Sequence, residues 1–206
     1  MNLKEAKAIT GGLSNPGKMP GFAYNLPTWA CVVGTKLRDV EGSTCSGCYA
    51  HERGRYRFKN VKNALNRRLN SLTDPRWIKA MTLLVSHYSV KVPFFRWHDA
   101  GDIQSVDHLK KIFEVCDATQ QVEHWIPTRE SKFLPLPGSS IPKNLKIALS
   151  DHMNDQKTPP SWWPHTSGVS TDPDSVTCPA STQGNQCKNC RKCWDKSVKR
   201  VIYPKH

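Results

Sequence analysis

The sequence lacks long hydrophobic runs, and this absence excludes two classes of protein. No stretch of its 206 residues approaches the ~20 uncharged apolar residues of a membrane helix. The first residues, MNLKEAKAIT, contain no hydrophobic run of the kind found in secretory signals. We therefore expect a soluble cytoplasmic protein with no membrane partner, folded as one globular domain with at most a small appendage.

Acidic residues are also scarce: 17 Asp and Glu stand against 30 Lys and Arg, for a net charge of +13. A positive field raises the rate of encounter with phosphates, so the expected partner is nucleic acid or another polyanion. The excess is concentrated in residues 53–68, where seven cations and no acid are interleaved with aromatic residues. The candidate nucleic-acid contacts are Arg53, Arg55, Tyr56, Arg57, Lys59, Arg67 and Arg68. A solvated helix face is the alternative.

Cysteine, by contrast, is plentiful, and seven of the eight cysteines lie in two clusters. A reducing cytoplasm disfavours disulfides, so clustered thiols there indicate a metal site. The C-terminal cluster places Cys187, Cys190 and Cys193 three residues apart, after a Cys178-Pro179 pair. This spacing is typical of ferredoxin-like sites and predicts a [4Fe-4S] cluster. Zinc and unliganded surface thiols are the alternatives.

The N-terminal cluster consists of Cys31, Cys45 and Cys48, and an aromatic residue follows the last of them. Three cysteines could hold three irons of a second [4Fe-4S] cluster and leave the fourth iron open for chemistry. The alternatives are zinc and a pair that stabilises a turn. Cys178 could complete either trio, and one shared metal site is a further alternative. Cys116 lies on the apolar side of its predicted helix and is interpreted as a buried hydrophobic residue.

Helical and extended patterns alternate along the chain. A short strand is predicted around residues 22–24, and helices are predicted from Val61, from Asp74 and from Ser105. Strands are predicted in the segments VPFFRW, VEHWIP and LKIAL, which begin at residues 92, 122 and 145. The alternation predicts an α/β fold with a largely parallel sheet in a domain of residues 1–166. The polar, cysteine-rich residues 167–206 are predicted to form a small iron-sulfur module.

Polar residues follow each of these three strands. Because the carboxyl ends of strands form the functional face of parallel sheets and barrels, we expect one shared site there. Its candidate catalytic residues are His98, Asp99, Asp102, Arg129, Glu130 and Asp151. Taken singly, each of these segments also fits an ordinary solvated loop.

Several segments together resemble a known family. They are GSTCSGCYA and GRYRFKNVKNALNRR, FFRWHDAGDIQS and HWIPTRE, and the closing CP with CxxCxxCW. They resemble the phage gene product 88 domain family over roughly Met19 to Trp194. That family is similar to radical S-adenosylmethionine enzymes in having a cluster-binding CxxC-aromatic element ahead of an α/β partial barrel. The resemblance implies an iron-sulfur protein that is encoded by a phage and located in the cytoplasm of the host cell.

The similarity to radical enzymes implies a partial barrel and one or two [4Fe-4S] clusters. A complete barrel needs ~250 residues, about twice what remains outside the N-terminal loops and the cysteine module. S-adenosylmethionine is the implied second cofactor, with Gly101 and Asp102 as the counterpart of a Gly-rich strand end. Two features depart from the pattern: Cys31 stands 14 residues before Cys45, and the Gly-rich element is short.

The function predicted from the sequence is that of a phage iron-sulfur protein on a radical-enzyme-like scaffold, with redox or radical chemistry and an unknown reaction. The first alternative is a non-catalytic nucleic-acid-binding protein stabilised by an iron-sulfur cluster. The second is a zinc-stabilised structural protein. The sequence leaves open whether the protein is an enzyme.

Overall fold

The computed structural model describes residues 1–51 and 53–205, which form five α-helices and six β-strands. The helices are α1 (Leu3–Thr10), α2 (Val32–Leu37), α3 (Lys59–Ser71), α4 (Trp77–Tyr88) and α5 (Val106–Asp117). The strands are β1 (Phe22–Tyr24), β2 (Phe94–Trp97), β3 (Glu123–Thr128), β4 (Leu145–Ser150), β5 (Thr166–Ser170) and β6 (Arg200–Pro204). Short 3-10 turns occur at Thr28–Ala30, Gly54–Arg57, Ser131–Phe133, Pro173–Ser175 and Pro179–Gln183.

All six strands belong to one parallel sheet, and each pairs with the strand that follows it in the chain. The order β1-β2-β3-β4-β5-β6 contains no reversal, unlike that of a doubly wound sheet. Within the described residues β1 and β6 do not pair with each other, so the sheet is open. The predicted α/β class with a largely parallel sheet is therefore confirmed.

The main hydrophobic core lies between one face of the sheet and the helices α4 and α5. Phe95 and Trp97 of β2 share a buried cluster with Trp77 of α4 and Ile112 of α5. Cys116 belongs to the same cluster, as its interpretation as a buried hydrophobic residue requires. Alternate residues of a strand point to opposite faces, so each strand leaves its other residues on the second face.

The second face of the sheet packs against the cysteine-rich segment. Phe94, Trp125 and Ala148 form a cluster with Trp194, whose indole N–H donates to the Phe95 carbonyl at 3.0 Å. The cysteine-rich segment connects β5 to β6. The boundary predicted between residues 166 and 167 thus falls inside β5, so residues 167–205 supply β6 and all of β5 except its first residue.

Capping chemistry accounts for where the predicted helices begin. The Ser105 hydroxyl accepts the His108 N–H at 3.0 Å, and α5 begins there as predicted. By contrast, α4 begins at Trp77, and Asp74 lies in the turn that precedes it: its carboxylate accepts the Arg76 N–H at 2.8 Å and its carbonyl accepts the Trp77 N–H at 3.0 Å. Among the helices of residues 1–51 and 53–205, none is both long and apolar enough to span a membrane.

Candidate functional site

A cavity of about 490 Å³ opens at the carboxyl ends of the strands, on the sheet face opposite α4 and α5. Side chains from β2, β3, β5 and β6 form its floor, among them Arg96, Trp125, Ser167 and Tyr203. The connection after β1 forms its wall. The volume lies within the range of cavities that bind small molecules.

All three N-terminal cysteines line this cavity. Cys31 caps α2, and the Val33 N–H in the first turn of that helix donates to Glu130 Oε1 at 2.7 Å. The Cys48 N–H donates to the Cys45 carbonyl at 3.1 Å and closes the CxxC turn. Residues that lie far apart in the sequence therefore meet at one wall of the cavity.

Gly34 keeps space open between two of the thiols. A Cβ atom at this position would stand 3.8 Å from Cys31 Sγ and 3.6 Å from Cys45 Sγ. It would also stand 3.1 Å from Cys31 Cβ, closer than ordinary van der Waals contact. Glycine thus leaves a space beside both sulfurs that any other residue would fill.

Burial favours the protonated form of two of the N-terminal thiols, those of Cys31 and Cys45. Burial raises the pKa of Cys31 well above its usual range, and the nearby Asp102 carboxylate raises it further. Burial also raises the pKa of Cys45, while the positive charge of Arg129 lowers it. A metal binds thiolates, so its binding here would release protons and weaken as the pH falls.

The four C-terminal cysteines, Cys178, Cys187, Cys190 and Cys193, line a second, much smaller cavity on the same sheet face. Cys178 thus joins the C-terminal trio and not the N-terminal one. The free space in this cavity, which five other residues also line, is about 10 Å³, close to that of one water molecule. Burial raises the pKa of Cys193 to about 11, although the Tyr203 hydroxyl, 3.1 Å from its sulfur, lowers it.

Lys146 anchors the cysteine-rich segment to the sheet. Its side chain lies on β4, and its Nζ donates to the carbonyls of Lys192, Asp195 and Val198 at 2.8, 2.7 and 2.9 Å. The three N–H bonds of the ammonium group match these three acceptors. Burial lowers the pKa of Lys146. The segment LKIAL was predicted as an apolar strand, and this role for its lysine was missed.

Neither group of thiols has the arrangement of a single-ion site. In the part of the chain that the structure describes, no three His, Cys, Asp or Glu side chains are arranged to hold one metal ion. The metal-ligand roles of Cys31, Cys45, Cys48, Cys178, Cys187, Cys190 and Cys193 therefore remain predictions.

Four of the six catalytic candidates line the cavity: His98, Asp99, Asp102 and Arg129. The Asp99 carboxylate is occupied by structural contacts. It accepts a hydrogen bond from the Tyr56 hydroxyl at 2.9 Å and forms ion pairs with Arg55 and Arg96 at 2.6 and 3.1 Å. The Tyr49 hydroxyl, next to the CxxC turn, donates to the Asp99 carbonyl at 2.8 Å. Asp99 thus ties the cysteine loop and the basic segment to the end of β2.

Asp102 and His98 are buried at the cavity wall. Burial raises the pKa of Asp102 to about 6, although its carboxylate accepts the Thr128 hydroxyl at 2.6 Å and the Arg129 N–H at 2.9 Å. His98 has a φ of 60°, and neither ring nitrogen has a hydrogen-bond partner in residues 1–51 and 53–205. Burial and the neighbouring His108 lower the pKa of His98, so its imidazole is neutral. His98 therefore has two buried ring nitrogens whose hydrogen-bonding capacity is unused in the described residues.

The other two catalytic candidates, Glu130 and Asp151, are not among the residues that line the cavity, and their catalytic role stays a prediction. The Asp151 carboxylate forms an ion pair with Arg200 and is not among the cavity-lining groups. Glu130 is buried and holds α2 through Val33, as described above. Gly101, predicted to bind a cofactor, has a φ of 81°, and a Cβ there would stand 2.5 Å from Leu26 Cβ. Close packing therefore accounts for this glycine without a ligand.

The predicted nucleic-acid residues include two buried side chains, one side chain held in an ion pair and several exposed side chains. Arg68 is buried and donates to the Gly12 carbonyl at 2.8 Å, and the Tyr56 ring is only 5% exposed. These two side chains belong to the protein interior, so they are corrected from contact residues to structural ones. Arg55 pairs with Asp99, as above. The exposed remainder is Arg53, Arg57, Lys59 and Arg67.

The cavity also carries cations that the sequence reasoning missed. Arg38, Arg96 and Lys205 line it together with Arg129. They come from α2's C-terminal end, from β2 and from the residue after β6, so no local motif joins them. Since Asp99 is already paired with arginines, the charge facing the cavity is predominantly positive.

The sequence profile of the family described as Gene product 88 matches residues 1–196. The chain belongs to the gene product 88 family. The match includes both groups of cysteines and most of the cavity, and it confirms the family predicted from the motifs. A segment of 104 residues, 48% of the chain, is 34% identical to a protein of Arabidopsis thaliana described as "Putative F-box only protein 10". This segment covers 24% of that protein's length. No solved structure matches the chain.

Proposed function

We propose that this gene product 88 protein binds a [4Fe-4S] cluster through Cys31, Cys45 and Cys48 and acts on a ligand held in the adjoining cavity. The proposal is carried by one observation: among the described residues, three cysteines and no fourth line this cavity. Thiolate sets select zinc, copper(I) or iron-sulfur clusters over metals that prefer oxygen. Three cysteines leave one iron without a protein thiolate, facing the space where a ligand would bind.

The arrangement of the thiols fits a cluster better than a single ion. A tetrahedral zinc site with bonds of ~2.3 Å holds its sulfurs ~3.8 Å apart, around one point. The cysteines of a cubane bind different irons and stand farther apart. In residues 1–51 and 53–205 no three ligands surround one point, whereas Gly34 leaves space beside two of the sulfurs. The first observation disfavours a single zinc ion, and the second leaves room that a cluster would need.

The C-terminal cysteines fit a closed metal centre with a structural role. Four thiols complete the coordination of either a cluster or a zinc ion. The small cavity that these thiols line has about 10 Å³ of free space, so a cluster would require the thiols to spread, and no three of them surround one point as a zinc ion requires. A second [4Fe-4S] cluster and zinc are therefore both proposals for this centre, and metal analysis separates them.

The residues around the cavity favour an anionic ligand. Arg38, Arg129 and Lys205 supply donors and positive charge. Following the resemblance to radical enzymes, we include S-adenosylmethionine, whose carboxylate such donors can bind, as the first ligand to test. With a chemical reductant such as dithionite to supply two electrons and water to supply a proton, cleavage of its sulfonium C–S bond would yield methionine and 5′-deoxyadenosine, which provides a readout. The open parallel sheet with its strands in chain order is compatible with a partial barrel.

The cluster is tested by metal and sulfide analysis of anaerobically purified protein, with an electron paramagnetic resonance spectrum after reduction. We expect the protein to contain iron and acid-labile sulfide. In Cys45→Ser, we expect the resonance signal of the cluster bound by three cysteines to disappear. Cys116→Ser is the matched control, because this thiol is buried in the main core. Zinc without sulfide, or equal iron loss in both variants, contradicts the proposal.

The activity is tested separately by adding S-adenosylmethionine to the reduced protein. A perturbed cluster spectrum and the release of 5′-deoxyadenosine support an enzyme of the radical class. A fourth protein ligand on the iron, together with an unchanged spectrum, leaves an iron-sulfur protein whose cluster only stabilises the fold.

A further inference from the structure

We propose that the exposed face of α3, together with Trp29 and Phe58, binds single-stranded nucleic acid. This surface lies beside the cavity and includes none of the cysteines proposed as metal ligands. At 3.6 residues per turn, one side of α3 carries three cations and three asparagines. They are Lys59, Lys62, Asn63, Asn66, Arg67 and Asn70. The helix contains no acidic residue, and the opposite side is buried through Leu65 and Arg68.

Two large aromatic rings are exposed beside this face. Trp29 is 61% exposed, and its Nε1 donates to Asn66 Oδ1 on α3 at 3.2 Å. The hydrogen bond fixes the indole on the α3 face, so little side-chain freedom remains to be lost when a base stacks on it. Phe58 is 52% exposed and immediately precedes α3. The Arg57 guanidinium lies 5.3 Å from the centre of its ring.

The charge and the rings together favour nucleic acid over other polyanions. Cations alone would bind any polyanion, but exposed rings fixed among cations and amides suit bases that alternate with phosphates. Lys59 and Asn66 lie ~10 Å apart along the helix axis. An extended strand can therefore contact Phe58 at one end of the face and Trp29 at the other.

The rings also distinguish single strands from duplexes. In a duplex the bases are stacked on each other, so the two aromatic side chains gain nothing and only phosphate contacts remain. Lys59 and Arg67 are available for such contacts: in residues 1–51 and 53–205, neither side chain forms a salt bridge.

The surface adjoins the cavity wall. Thr28 lines the cavity, and Trp29 follows it in the same 3-10 turn. Tyr49, which also lines the cavity, packs against Tyr56 at the start of the basic segment. A strand bound along α3 would therefore end beside the cavity.

The stacking part of the proposal is tested by fluorescence anisotropy with a labelled thymine oligonucleotide and with a duplex of equal length, using the full chain. Stacking contributes roughly 5- to 150-fold in affinity per base. We expect Trp29→Ala and Phe58→Ala each to weaken single-strand binding within this range and to leave duplex binding nearly unchanged. Trp162→Ala is the matched control, because Trp162 is 43% exposed in the connection between β4 and β5.

The electrostatic part is tested by the salt dependence of the same binding. Replacing Lys59 and Arg67 together by Gln should lower the slope of log affinity against log salt by about one to two, because two phosphate contacts are lost. Replacing Lys79 and Lys110 by Gln removes the same charge from α4 and α5 and should leave the slope nearly unchanged. Equal effects of the two double variants, heparin binding as tight as single-strand binding, or an unaltered Trp29→Ala affinity would overturn the proposal. Thermal melting of each variant checks that it is folded.

Discussion

Lys146 is the single side chain on which the position of the cysteine-rich segment most directly depends. It is almost fully buried, yet its charge is compensated by three backbone carbonyls of residues 192–198. An ammonium group in such a site costs desolvation energy that its hydrogen bonds offset. Removing the ammonium leaves three buried carbonyl groups without a donor.

We predict that Lys146→Met destabilises the protein by about 3 kcal/mol, because methionine keeps the stem but cannot donate. Urea denaturation at pH 7 gives the free energy of unfolding. Lys110→Met, an exposed substitution on α5, serves as the control and should change it by less than ~0.5 kcal/mol. Equal stability of the two variants would show that the carbonyls find water instead.

The backbone conformation and tight packing of Gly101 give a second prediction about a single residue. Its φ of 81° disfavours any other residue, and a Cβ would stand 2.7 Å from the Leu26 carbonyl oxygen. We predict that Gly101→Ala lowers the melting temperature more than Gly12→Ala does. Gly12 has a similar φ of 74°, but a Cβ there would have no neighbour within 4 Å. The two variants share a backbone cost of ~1–2 kcal/mol, so the difference isolates the contact with Leu26. Equal melting temperatures would mean that Leu26, just after β1, shifts to accommodate the methyl group.

The elements α5 and β3 are joined by a buried histidine network. The Trp97 N–H donates to His124 Nδ1 at 3.2 Å, which assigns the ring proton to Nε2, 2.9 Å from Thr119 Oγ1. The Thr119 hydroxyl in turn donates to the Val115 carbonyl at 2.7 Å. Burial lowers the pKa of His124 to about 3, and it lowers the pKa of His108 on α5 to a similar value.

We predict that the protein loses stability as the pH falls from about 6.5 towards 3. In this range the unfolded chain binds protons that the folded His108 and His124 do not, which favours unfolding. Each such proton changes the free energy of unfolding by about 1.4 kcal/mol per pH unit. Asp102 acts in the opposite sense between its unfolded value and about 6, but the histidines outnumber it.

The variant His108→Asn tests this linkage, because Asn can still accept the Gln104 N–H that His108 Nδ1 accepts at 3.2 Å. Denaturation measured at several pH values between 4 and 7 should show that the free energy of unfolding depends less steeply on pH in the variant. The difference in slope should correspond to up to one bound proton. An unchanged slope would mean that His108 is protonated in the folded state or becomes so at little cost.

As a whole, the molecule is built around one sheet that the cysteine-rich segment completes. All six residues of β4 are buried, and β5 and β6 cover the edge of β4. A chain that ends at residue 166 would expose this edge, which favours aggregation. We predict that residues 1–166 alone are insoluble or unfolded, as size-exclusion chromatography and circular dichroism would show. A monomeric fragment that melts cooperatively would contradict this prediction and would show that residues 1–166 fold without β6 and most of β5.

Local patterns were sufficient for much of the fold. Apolar periodicity identified α3 and α5, and alternating short apolar runs identified β2, β3 and β4, because each of these patterns depends on near neighbours in the chain. They did not identify β5. Its sequence TSGVS is mostly polar, and it is buried through contacts such as that of Ser167 with Ser150 at 2.9 Å.

Sequence and tertiary structure likewise determined different features of the candidate site. Residue types and spacing were enough to single out two groups of thiols, a basic segment and three polar strand ends, as well as the family. They could not say that Cys178 joins the C-terminal group, that Asp99 and Asp151 are held by arginines, or that Arg68 faces inward. The physical reason is that spacing reflects backbone geometry over a few residues, whereas burial and ion pairing depend on residues far away in the chain. Arg68 meets Gly12 across 56 positions, and Arg200 meets Asp151 across 49.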